Sequence, residues 1–157
     1  MFEILIYLFE TYVHNKSEIS INYESLTNDL SNIGFQKKDI YNALLWLKNL
    51  SCYKKNSISP INLASDQIST RIYDPEELLK FNVDCRGFML FLEQLEILTL
   101  DIREMLIEKI MALEDTELNL EDLKWIILII LFNVPGYEVV YKKLENLLFN
   151  FKTEIIH

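Results

Sequence analysis

Glycine and proline are nearly missing: the 157 residues hold 3 of each. Loops that cradle phosphate need several glycines close together, and strained nucleophile turns usually need them too. This chain has little room for either. Histidine is confined to His14 and His157, and cysteine to Cys52 and Cys85. Neither type shows a paired spacing, so the common zinc patterns are excluded, as are the Glu-x-x-His helices of di-iron proteins. A Ser-His-Asp set is equally implausible with the histidines so placed. Two cysteines in unlike contexts do not make a disulfide scaffold, and reduced thiols are expected. Long hydrophobic runs are lacking as well. The longest, Trp125 to Phe132, falls far short of the ~20 residues that span a bilayer. Glu3 and the absence of a basic stretch before Glu10 argue against a signal peptide, so a cytoplasmic protein without membrane contact is expected. Alanine occurs only at Ala43, Ala64 and Ala112 while Ile, Asn and Lys abound, the drift expected of AT-rich coding sequence.

What is present is apolar and acidic. Half the residues are hydrophobic, which rules out disorder and suits one compact domain or two small ones sharing a core. The formal net charge of −9 is uneven: residues 1–60 balance exactly as many lysines as acids, and the remainder carries the whole excess. An acidic second half repels nucleic acid and anionic lipid, whereas the neutral first half is undecided.

Apolar periodicity and capping signals divide the chain into helices. The first is expected from Phe2 to His14, with Leu5, Ile6 and Phe9 on its buried side. A second opens after Asn22 and stops at Gly34, a residue suited to a left-handed C-terminal turn. A third spans about Lys37 to Leu50 and turns Ile40, Ala43, Leu44, Leu47 and Leu50 inward. Alternation over Ile68–Tyr73 then predicts a strand, with Cys52–Lys54 as its antiparallel partner and Ile19–Ile21 as a small extra strand. Three helices followed by a hairpin is the order of a winged helix. Asp74-Pro75-Glu76-Glu77 carries an N-cap, a first-turn proline and a capping-box acid. Further helices are expected over about Cys85–Leu98, from Thr99 or Asp101 onward, from Asn119 to a stop at Asn133-Val134-Pro135-Gly136, and then to about Asn150. In these, Phe88, Phe91, Leu92, Leu95 and Trp125 are expected to be core residues. The predicted fold is therefore mainly α: a winged-helix-like half with a short β-hairpin at 1–74, and a helical bundle at 75–157 packed against it.

No catalytic residue, metal ligand, cofactor or small-molecule substrate is predicted. Glu93-x-x-Glu96 and Glu104-x-x-x-Glu108 read as solvated helix faces, and Cys85 beside Arg86 as a small residue opening a buried helix. Two binding surfaces remain. Leu45 sits at the centre of the third helix's outward face, and bulk of this kind suits a polypeptide cover. Tyr41, Leu45 and Trp46, with Arg71 and Tyr73 on the expected wing, form the candidate protein-contact surface of a non-enzymatic interaction or regulatory module. The alternative is a nucleic-acid interface built from Lys37, Lys38, Asn42 and the wing residues Lys54 and Lys55.

The segments Phe9-Glu-Thr-Tyr12, Asp39-Ile-Tyr-Asn-Ala-Leu-Leu-Trp-Leu47, Arg71-Ile-Tyr73, Cys85-Arg-Gly-Phe88, Phe91-Leu-Glu-Gln94, Arg103-Glu-Met105, Leu120-Glu-Asp-Leu-Lys-Trp125 and Asn133-Val-Pro-Gly136 resemble the bacterial Smg protein family. The resemblance runs from Met1 to the terminal histidine. It implies no activity, substrate or cofactor, and hence no catalytic residues. Proximity of the family's gene to one for a DNA-processing protein gives only an associational hint toward nucleic-acid metabolism.

Overall fold

Side-chain caps and apolar stripes set the helix boundaries in the computed structural model, which describes residues 2–14, 23–53, 71–113 and 117–156. The elements are α1 (Phe2–His14), α2 (Tyr23–Ile33), α3 (Lys37–Ser51), α4 (Pro75–Lys80), α5 (Val83–Gln94), α6 (Leu100–Met111), α7 (Leu120–Asn133) and α8 (Glu138–Ile156). At α4 the capping box is complete: Glu77 N–H donates to the Asp74 carboxylate, and Asp74 N–H donates back to Glu77. Asn82, Thr99 and Asn119 accept from the first turns of α5, α6 and α7. Gly34, at φ 113°, ends α2 in the left-handed conformation that glycine adopts without steric cost.

The expected β-hairpin is corrected, because no strand forms among the described residues. Cys52 and Tyr53 simply close α3, their N–H groups donating to the carbonyls of Lys48 and Leu50. Arg71–Asp74 leads into the α4 cap without a ladder partner. Within it Arg71 and Tyr73 turn toward the protein, while Ile72, expected on the apolar side of the strand, is 91% exposed. Among the described residues, side-chain contacts to Glu77, Glu104 and Phe81 hold these two inward. Residues 54–70 and the expected strand at Ile19–Ile21 lie outside the described residues.

Around these elements a single buried cluster runs from Ile4 to Leu144. Helix α7 is its axis, touching α1, α3, α5, α6 and α8. That position explains an unbroken apolar run: Ile126 to Leu131 are all buried, as a helix enclosed by neighbours requires. The first three helices join this core through α1 and α3. Between α6 and α7, Leu118 forms a parallel bridge with Phe81, and its carbonyl accepts from Asn82 and the Cys85 thiol. Buried Lys80 donates to the carbonyls of Met111 and Leu113, neutralising the negative C-terminal end of α6.

Two further expectations change. Helix α5 stops at Gln94 rather than Leu98, and of its expected core residues only Leu92 is fully enclosed. Phe91 and Leu95 are exposed, and Phe88 is half-buried. Helix α8 continues past Asn150 to Ile156.

Candidate functional site

On α3 the 100° rotation per residue sorts the side chains into two faces. Ile40, Ala43, Leu44, Trp46 and Leu50 are buried. Opposite them lie Lys38, Tyr41, Leu45, Lys48 and Asn49, all exposed, with Tyr41 at 67% and Leu45 at 43%. The two apolar residues stand one turn apart on the same ridge, with a lysine beyond each. Neither Lys38 nor Lys48 pairs with a carboxylate among the described residues. Asp39, the one acid of the helix, lies on the other side. Of the eight described helices α3 alone is net positive, with three lysines against one aspartate. Helix α8 balances, and the other six are net negative.

The expected contact surface therefore contracts. Trp46 is not part of it: the indole is buried, and its Nε1–H donates to the Lys109 carbonyl at 3.0 Å, tying α3 to α6. Buried tryptophans need such an acceptor, and this one lies 63 residues away in sequence. Arg71 and Tyr73 are also withdrawn. The Arg71 guanidinium grips both oxygens of Glu77 at 2.9 and 2.8 Å and donates to Glu104 at 2.7 and 3.1 Å. It also lies 4.8 Å from the centre of the Tyr73 ring, and that ring packs on Phe81. Arg103 extends the network by bridging Glu104 and Glu93. The Arg71 hydrogen bonds hold the Glu77 carboxyl below its usual range against the opposing pull of burial. Burial also pushes Glu104 upward, but Arg71 and Arg103 outweigh it and the net shift is downward. Among the nucleic-acid candidates, Lys37 and Lys38 are exposed and Asn42 is half-buried; Lys54 and Lys55 lie outside the described residues.

Among the described residues nothing else gathers chemistry. Cys85 is fully buried, and burial pushes its thiol above the ordinary range, toward the unreactive protonated form. Glu93 and Glu104 are ion-pair partners of arginines rather than a ligand pair. Among the described residues no cluster of His, Cys, Asp and Glu could hold a metal ion, and no helix is long and apolar enough to cross a membrane. A groove of about 470 Å³ opens between α5, α7 and α8, lined chiefly by Phe88, Phe91, Trp125, Leu128 and Leu148. Sequence periodicity placed three of these in the core, so the groove went unread. Lys124 at this groove already pairs with Glu121 at 3.2 Å and lies 5.7 Å from the centre of the Phe88 ring. Trp125 is accordingly half-buried, its ring edge-on to Phe9 at 6.0 Å.

The whole chain, residues 1–157, matches the family described as Protein of unknown function (DUF494). It is 74% identical to a Protein Smg of Buchnera aphidicola subsp. Acyrthosiphon pisum (strain 5A), over the full length of both chains. Identity to the Protein Smg of Enterobacter sp. (strain 638) is 51%, and to that of Escherichia coli O7:K1 50%, again over both full lengths. No solved structure matches the chain.

Proposed function

The chain belongs to the bacterial Smg family, a family of unknown function, and we propose that it is a non-enzymatic cytoplasmic protein-interaction module whose contact face is the outward ridge of α3. The observation that carries this reading is the pair Tyr41 and Leu45, exposed one turn apart on a helix whose opposite face is locked into the core. Their placement is rigid, because Trp46 is hydrogen-bonded to α6 and α3 packs against α7. Covering such side chains is worth on the order of 1–3 kcal/mol each, and tyrosine is favoured where interfaces concentrate their energy.

The test places a photo-crosslinking side chain at position 45 in living cells, with Val139 on α8, itself 69% exposed, as the control position. A nuclease-resistant protein adduct at 45, absent at 139 and lost with Tyr41→Ala, is expected. Adducts no stronger than those at 139 overturn the proposal.

The net positive charge of α3 favours a second reading, nucleic-acid binding through Lys37, Lys38 and Asn42. Its signature is duplex affinity that falls steeply with salt. A protein-only module leaves labelled duplex unbound even at low ionic strength.

A further inference from the structure

We infer that the α3 face takes an acidic amphipathic helix of another protein, with an apolar centre seated on Tyr41 and Leu45 and carboxylates at both ends meeting Lys38 and Lys48. This rests on the interaction reading above and adds the chemistry of the partner. Three observations define that chemistry. The face is a ridge of side chains four residues apart, and such ridges pack into the grooves of another helix. Its ends are cationic and unpaired among the described residues, and the other described helices are neutral or acidic. Its centre is apolar. Lys38 and Lys48 are ten residues apart, about 15 Å along the axis, so the partner's acids stand roughly three turns from one another.

Nucleic acid fits this face less well. About 15 Å of duplex carries about nine phosphate charges. Against these α3 offers Lys37, Lys38 and Lys48, with no arginine, and sets Tyr41 and Leu45 where phosphates would lie. An acidic helix, by contrast, leaves no apolar side chain facing charge. Lysines at the rim select among partners more than they add affinity, so selection is what the experiment reads.

A displayed library of helical peptides, with a fixed apolar centre and flanking positions randomised among acidic, basic and neutral residues, is selected on the full-length protein. Acidic flanks are expected to be enriched over basic ones by about 5-fold, the scale of two exposed ion pairs. Enrichment should vanish on Leu45→Glu and invert on the double variant Lys38→Glu, Lys48→Glu, with circular dichroism confirming that each variant is folded. Flank-indifferent selection, preference for basic flanks, or enrichment unchanged by Leu45→Glu overturns the inference. Displacement of a selected peptide by duplex DNA at low salt also overturns it. If position 45 crosslinks a protein in cells while acidic flanks are not enriched, the interaction module stands and this partner chemistry falls. If the crosslink fails too, both fall. A crosslink from 45 into residues 54–70 of the same chain would show the face to be covered from within, and overturns both.

Discussion

Glu96 occupies a conformation that its side chain opposes. Its φ is 60°, just beyond α5, and it brings the N–H groups of Ile97 and Leu98 onto the Leu92 carbonyl. The left-handed region costs an L-residue roughly 1–2 kcal/mol, and glycine escapes that penalty while losing more chain entropy on folding. Glu96→Gly is therefore expected to stabilise the protein by about 0.5–1 kcal/mol. A urea melt at neutral pH checks it; a midpoint unchanged or lowered would refute the strain. The same residue explains why the expected end of α5 lies four residues beyond the observed one. Gly34 and Gly136 advertise their positive φ in the sequence, whereas a glutamate at such a position gives no signal. Trp46 was illegible for a different reason. Its place on the helical wheel lies at the edge of the buried face, and the carbonyl that draws it inward belongs to Lys109, on a helix far along the chain.

Helix α3 starts badly by the standards of its neighbours. Gln36 makes no side-chain cap, and Lys37 and Lys38 place positive charge against the positive end of the helix dipole. The other helix starts with described caps, at Asp74, Asn82, Thr99 and Asn119, all carry an accepting side chain. Gln36→Asp should add the missing acceptor and an opposing charge, stabilising by about 1 kcal/mol, or about 2–4 °C in Tm for a chain of this size. A thermal melt without that gain would show that the first-turn N–H groups are already satisfied. Cap chemistry is also what made the helices legible. Asp74 and Asn119 were located from local residues alone, and Gly34 marked the end of α2. The hairpin was not legible, because at Arg71–Tyr73 the inward side chains are Arg71 and Tyr73 while Ile72 is left bare, which alternation of apolar residues does not foretell. Arg71 is instead drawn inward by carboxylates on α4 and α6.

At the scale of the molecule, α7 and the charge network do separate jobs. The first supplies the apolar axis, and its all-round hydrophobicity made its burial readable from sequence. The second joins Arg71, α4, α5 and α6 through alternating charges, Glu77–Arg71–Glu104–Arg103–Glu93, drawn from positions up to 33 residues apart. No local pattern specifies it; only the packed core brings those groups together. Its contribution depends on pH in a definite direction. Glu77 and Glu104 have lowered folded-state values, so the stability they confer is complete above the ordinary carboxylate value of 4.5 and is lost as the pH falls through the lowered range. Arg71→Gln removes the main cause of both shifts. Burial then favours the protonated carboxyls, and the variant should respond to acid far less steeply than the parent. Urea midpoints for parent and Arg71→Gln should thus differ most at pH 7 and converge below about pH 4.5. A separation that stays constant from pH 7 to pH 3 would mean that Arg71 stabilises through packing on Tyr73 rather than through its carboxylate partners.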